Sequence, residues 1–268
     1  MGNEVWQLGT IMDNPTAYPN AQPILLFAQG FTSFFAMILV PALFIHQYKT
    51  IVVPIFKNIP NEIFIFSAGL LVVVSMPLNA WIADVNMTMN LPEWMQVFES
   101  WAQDKEEQLK VLTEFLTNFD GNAQFGIGLI VIALIPAIGE ELVFRGVILT
   151  CLVNSMQRRH SAIWLTAIIF SAIHMQFYGF VPRMLLGAMF GYLYLWSQNL
   201  IPPIFAHFVN NGFTLYLIHL KNQDKLKMDI ETSKDMPWYV IAFSAVSVII
   251  IMLYYKNQID KPFYKKLS

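Results

Sequence analysis

Residues 135–149 read IPAIGEELVFRGVIL, and they place Glu140, Glu141 and Arg145 in a run that is otherwise soluble in lipid. An ionisable side chain at the centre of a bilayer costs about 3 kcal/mol on insertion scales, so such residues are functional-site hypotheses by default. On a helix, Glu141 and Arg145 are i,i+4 neighbours in the favourable acid-before-base order. They can pair and offset each other's cost. Glu140 lies about 100° round the helix from Glu141 and is left without a local partner. Phe144 follows one turn further along Glu140's own face.

The rest of the chain sets that stretch in a membrane. Of 268 residues, 56% are hydrophobic and only 13% charged, with a mean hydropathy of +0.51. These values lie far from the soluble globular norm and predict an all-α, polytopic membrane helix bundle. A net charge of -2 offers nothing to nucleic acid. The single cysteine, Cys151, excludes an internal disulfide and argues against a Cys-based metal site; it reads as a small buried apolar residue. Residues 1–10 lack the basic region and apolar core of a cleavable signal, and the Ser or Thr of a myristoylation signal.

A spanning helix needs about 20 apolar residues. Segments 24–45, 63–83, 123–153, 162–178, 183–198, 202–220 and 238–255 qualify. That makes seven spans, or eight if the long run 123–153 splits at Pro136. Between Asp84 and Asn122, the residues Trp94, Phe98, Trp101, Leu109, Leu112, Leu116 and Phe119 recur at helical spacing among acids and lysines. They predict an amphipathic helix, lying at the interface or against the bundle, with Asn90 and Glu93 as a cap pair. The division expected is 1–122 (two spans and the amphipathic helix), 123–220 (the core bearing the polar residues) and 221–268 (a loop, the last span and a basic tail).

Seven spans put three basic clusters on the cytoplasmic side: Lys49 with Lys57, Arg158 with Arg159, and Lys256 with Lys261, Lys265 and Lys266. The loop Lys221–Lys234, with four lysines, then falls outside, against the same rule.

Two later segments carry matching oddities. FSAIH sets Phe170 and His174 four residues apart, and HFVNN does the same for His207 and Asn211. Counted from the Arg158–Arg159 turn, Glu140 and His174 lie at comparable depth if both helices are regular. Taken singly, each has a plain reading: an interhelical hydrogen bond for a histidine or asparagine, a buried structural ion pair for Glu141 and Arg145. Together, in a chain so poor in charge, they point to one shared polar site. A carboxylate there suits a general base. Glu140 with His174 can hold and deprotonate a water, while His207 and Asn211 donate to the oxyanion of a tetrahedral intermediate. The same atoms of Glu140, His174 and His207 could instead bind zinc. No G-x-S-x-G or H-E-x-x-H motif occurs.

EELVFR, FSAIH and HFVNN, in that order, resemble the CPBP (Abi) family of CAAX-processing and bacteriocin-processing proteases. The resemblance spans roughly residues 123–214 and includes the helix bearing Gly187 and Gly191, which on its own reads only as close helix packing. It implies a bundle of about eight membrane helices around a cavity and a membrane-embedded endopeptidase activity. The roles it implies are water activation by Glu140 and His174, oxyanion contacts from His207 and Asn211, support from Glu141 and Arg145, and a cavity lined by Phe144 and Phe170. It implies a membrane protein or lipid-modified peptide as substrate, and an integral multi-pass protein of a bacterial cell membrane. A glutamate base needs no cofactor, and that reading is preferred; zinc is the alternative. Two other classes compete: a proton-coupled transporter, for which no internal repeat is found, and a non-enzymatic immunity protein.

Overall fold

The computed structural model describes residues 11, 14–48, 62–89, 91–226, 233–234 and 236–259. Residues 1–10, Asn90, Lys49, Lys57, Lys261, Lys265 and Lys266 lie outside that set, and with them the readings of the N-terminus, the Asn90 cap and part of the charge asymmetry. Eight long helices account for the fold, with no strand among the described residues. They are α1 (Gln22–Gln47) and α2 (Glu62–Met87), α3 (Gln96–Thr117), α4 (Asn122–Met156), α5 (Arg159–Ala172), α6 (Phe180–Ser197), α7 (Ile201–Asn222) and α8 (Trp238–Ile259).

Four of these, α1, α2, α4 and α8, are long and apolar enough to cross a membrane. Their outer faces expose large apolar side chains, among them Phe27, Leu70, Phe243 and Ile250. Such a surface belongs in lipid rather than water, and the protein is an integral, multi-pass membrane protein. The other three expected spans are helical but different in kind. α5 has only 14 residues, and α6 and α7 carry the polar residues that lower their hydropathy.

The run 123–153 does not split. α4 is one helix of 35 residues, wound as a π-helix over Leu129–Leu134 and Leu142–Leu149 on either side of an α-helical Ile135–Glu141. The first π stretch ends just before Pro136. Proline lacks the N–H that an α-helix would use there, and wider winding is one way to continue without it. α1 repeats the device, with a π stretch at Phe34–Leu39 just before Pro41. α1 lies against the back of α4, where Met37 faces Gly139. π-Winding inside helices recurs at functional sites, and here it brackets the two glutamates.

α6 is the central helix. One face packs with Leu149 of α4 and Ala162, Ile163 and Ala167 of α5. The other, with Met189, Phe190 and Leu193, meets Ala68, Leu71 and Val72 of α2, Ala206 of α7 and Tyr255 of α8. Gly187 and Gly191 let α5 approach closely. A Cβ at 187 would sit 3.1 Å from Phe170 Cδ1, and one at 191 would sit 3.0 Å from Ile163 Cγ2. The G-x-x-x-G spacing is thus a packing seam, as its bare form implies.

α3 packs its second half against the bundle and leaves large apolar side chains exposed near its start. Leu112, Phe115 and Leu116 pack on Ile11, Ala21 and Leu25, while Trp94 and Val97 near its start remain exposed. Gln22 Nε2 donates to the carbonyls of Phe115 (3.0 Å) and Asn118 (2.9 Å), tying the end of α3 to α1. α3 begins after a single 3-10 turn at Glu93–Met95.

Candidate active site

The expected pair forms. Arg145 Nη1 donates to Glu141 Oε1 at 2.7 Å, with both side chains fully buried. Arg145 Nη2 donates to the Gly187 carbonyl at 2.8 Å. The guanidinium also lies 5.0 Å from the Phe170 ring centroid and 5.4 Å from that of Phe190, within cation–π range. A carbonyl and two aromatic faces therefore share the solvation of this cation with Glu141.

A third member joins from α7. His207 Nδ1–H donates to Glu141 Oε1 at 2.9 Å, and its ring stacks on Phe190 at 5.2 Å. This bond sets the tautomer. With its proton on Nδ1, neutral His207 presents a lone pair on Nε2, and that atom lies 3.8 Å from Glu140 Oε2. Glu140, unpartnered within its own helix, thus faces His207 from α7.

His174 stands differently from expectation. α5 stops at Ala172, so His174 occupies the turn beyond the helix rather than its face. Its Nδ1–H donates to the Phe170 carbonyl at 2.7 Å, leaving Nε2 free. Asn210 Nδ2 donates to Asn211 Oδ1 at 3.1 Å. That contact engages the Asn211 oxygen and leaves its NH2 group to donate elsewhere. Pro202 and Pro203, which resemble a break in a span, instead fall in the first turn of α7, where proline is well tolerated.

Glu140, Phe170, His174, His207 and Asn211 line one cavity of about 480 Å³, the size of an ordinary ligand pocket. Phe144 does not reach it. It is buried behind Phe170, edge-to-face at 5.0 Å, so Phe170 stands between it and the cavity. Other lining residues are not singled out by the sequence, Arg183, Thr113 and Thr117 among them. Arg183 comes from the first turn of α6, and Thr113 and Thr117 come from α3. Arg183 carried a usable signal, as the single charge in the apolar run 183–198. The threonines carried none, because nothing local says that α3 closes over the cavity. Beyond them a second cavity of about 750 Å³ continues along α3, lined by Glu106, Lys110, Glu114 and Lys221 among others.

Zinc would need Glu140, His174 and His207 to converge. Among the described residues no group of three His, Cys, Asp or Glu side chains is arranged to hold a metal ion.

Residues 122–213 match the family model described as Rce1-like, type II CAAX prenyl endopeptidase. The chain is 31% identical over 85 residues to the uncharacterized protein YpbD of Bacillus subtilis (strain 168), covering 30% of this chain and 40% of that protein. It is also 31% identical over 106 residues to the membrane-embedded CAAX protease MroQ of Staphylococcus aureus (strain USA300), covering 37% of this chain and 42% of that protein. The matched region thus spans about two fifths of the length of these curated relatives. No solved structure matches. The matched residues contain all three motifs, and over residues 122–213 the chain is similar to the Rce1-like, type II CAAX prenyl endopeptidases.

Proposed function

We propose that this protein is a membrane-embedded endopeptidase that hydrolyses a peptide bond with water activated by Glu140 and His174. The observation that carries the reading is the convergence of Glu140, His174, His207 and Asn211, from three separate segments, on one cavity. A water between the Glu140 carboxylate and the free Nε2 of His174 has two acceptors for its protons. As its oxygen bonds to the carbonyl carbon, Glu140 takes one proton and the carbonyl electron pair moves to oxygen. Asn211 Nδ2–H donates to that oxyanion. His207 Nε2–H donates as well when both ring nitrogens are protonated, with Glu141 holding the Nδ1 side. Collapse breaks the C–N bond, and the proton held on Glu140 passes to the leaving amine.

The substrate class is a peptide held in or at the membrane, a lipid-modified one included. The test uses the purified full chain in lipid nanodiscs with fluorogenic membrane peptides, both prenylated and unmodified. Glu140→Gln should lower kcat by about 10²–10⁴, the range of a general acid–base group, without loss of thermal stability. Asn211→Ala should lower kcat by about 10²–10³ with little change in KM, as for an oxyanion donor. Chelator should leave activity unchanged. Equal activity in Glu140→Gln and the parent would overturn the assignment. Chelator-sensitive activity restored by zinc would overturn the metal-free mechanism. A Glu140-dependent proton flux in liposomes without proteolysis would favour a transporter.

A further inference from the structure

Of the four side chains that converge on the cavity, His174 is the one that no helix carries. Glu140 is fixed by α4, and His207 and Asn211 are fixed by α7. α5 ends at Ala172 and α6 begins at Phe180, so His174 rides on the connection 173–179. Its bond to the Phe170 carbonyl orients the ring but does not place the chain that bears it. That chain reverses at Met175, whose φ of 56° is left-handed. A residue with a Cβ keeps such a conformation only where its surroundings impose it. The Met175 side chain is half exposed, so the constraint comes from elsewhere in the connection.

Phe177 supplies it. Its carbonyl accepts from two directions: the Phe180 N–H at 3.1 Å, where α6 opens, and Asn86 Nδ2 of α2 at 3.0 Å. Asn86 is buried, so water does not compete for this bond, and the loss of its donor would leave the contact unmade. α2 is itself fixed in the bundle through Ala68, Leu71 and Val72. The contacts from α3 are looser. Phe98 meets the Phe177 ring edge-on at 5.6 Å, and Gln103 Nε2 donates to Tyr178 Oη at 3.2 Å, yet both Phe98 and Gln103 are exposed. Asn86 thus ties the connection that bears His174 to a rigid helix from the buried side.

We propose that Asn86 is a positioning residue for His174: by holding the Phe177 carbonyl, it keeps the 173–179 connection in the path that sets His174 in the cavity with Glu140. This deepens the peptidase reading and rests on it. Asn86 does not line that cavity, so it acts through His174 and not on substrate. It also lies outside residues 122–213, the part that matches the family model. The requirement is therefore one that this chain's own α2 brings to the motif-bearing helices.

The experiment is a double-mutant cycle on the full chain in lipid nanodiscs, with fluorogenic membrane peptides and enzyme in excess. Asn86→Leu, of similar volume but with no donor, is made in the parent and in His174→Ala. In the parent it should lower kcat about 10- to 100-fold, the scale of a misplaced catalytic group, with KM little changed. In His174→Ala it should change the residual rate by less than about twofold, because the two residues act as one unit. Asn86→Ser, whose hydroxyl is too short to reach the Phe177 carbonyl, takes its place if the leucine variant does not unfold cooperatively. An unchanged kcat in the parent background overturns the proposal. So does an equal loss in both backgrounds, which is what a purely structural role for Asn86 would give.

NMR separates this proposal from the peptidase reading. The imidazole 15N signals of His174 are followed in histidine-labelled protein and assigned by their loss in His174→Ala. They should move in Asn86→Leu, with no substrate present. Moved signals with no cleavage by the parent retain the positioning role and discard the protease. Unmoved signals, with cleavage by the parent, do the reverse.

Discussion

Glu141 and Arg145 would look dispensable to a mechanism that names only Glu140, yet among the described residues they are the most deeply buried ions, each with no exposed surface. Glu141 Oε1 holds two donors at once, Arg145 Nη1 and His207 Nδ1. Removing its charge leaves a buried guanidinium unpaired, a loss of about 3–5 kcal/mol when one partner of a buried pair is deleted. Glu141→Gln should therefore lower the thermal unfolding midpoint strongly, whereas Glu140→Gln should leave it near the parent value; differential scanning fluorimetry in detergent separates the two. Adjacent glutamates thus do different work. The i,i+4 spacing made the Glu141–Arg145 pair legible in the sequence. The bond from His207 spans 66 residues, and no local pattern encodes it.

At the scale of elements, α3 matters more than its amphipathic pattern suggests. It packs its apolar end on α1 and lends Thr113 and Thr117 to the cavity. Glu106 faces inward from the same helix. Burial pushes its carboxyl above the ordinary range, against the smaller opposing effects of the Tyr178 backbone N–H and Arg183. A carboxyl raised in the folded state favours folding at pH below its unfolded value, and that contribution is lost as pH rises through the folded value. Glu106→Gln removes the penalty. It should raise the unfolding midpoint relative to the parent at neutral pH, and the difference should vanish toward about pH 4. An equal difference at both pH values would show that ionisation of Glu106 is not its source. α5 shows where regular periodicity misleads. The apolar pattern runs to residue 178, but the helix ends at Ala172, and that early stop puts His174 in a turn with its Nδ1 on the Phe170 carbonyl.

At the scale of the whole molecule, the motif-bearing third makes only part of its own core. Phe190 and Leu193 of α6 are buried against Ala68, Leu71 and Val72 of α2 and Tyr255 of α8. Tyr255 OH donates to the Phe64 carbonyl at 2.8 Å, joining the last span to the second. Residues 122–213 expressed alone would expose that face of α6. They should fail to give a monodisperse, cooperatively unfolding species in detergent, while co-expression with the missing flanks should recover one. Size-exclusion chromatography with thermal unfolding reads both outcomes. A stable, active fragment would show instead that residues 123–220 are a self-sufficient unit.

The sequence by itself determined what depends on composition and short spacing. Low charge and long apolar runs required a membrane bundle. Four-residue spacing paired Glu141 with Arg145, and the order of three polar motifs carried the family resemblance. The tertiary structure decided what depends on contacts between distant segments: His207 bound to Glu141 and facing Glu140, Phe144 set behind Phe170, α3 over the cavity, and Arg183 inside it. The physical reason is the range of the forces. Helix formation and i,i+4 pairing are settled within a few residues. Where a helix stops, and which face meets which, is settled by packing against partners far along the chain. Glu140 was conspicuous because its own helix offered it no partner; only the packing of α4 against α7 shows which side chain supplies one.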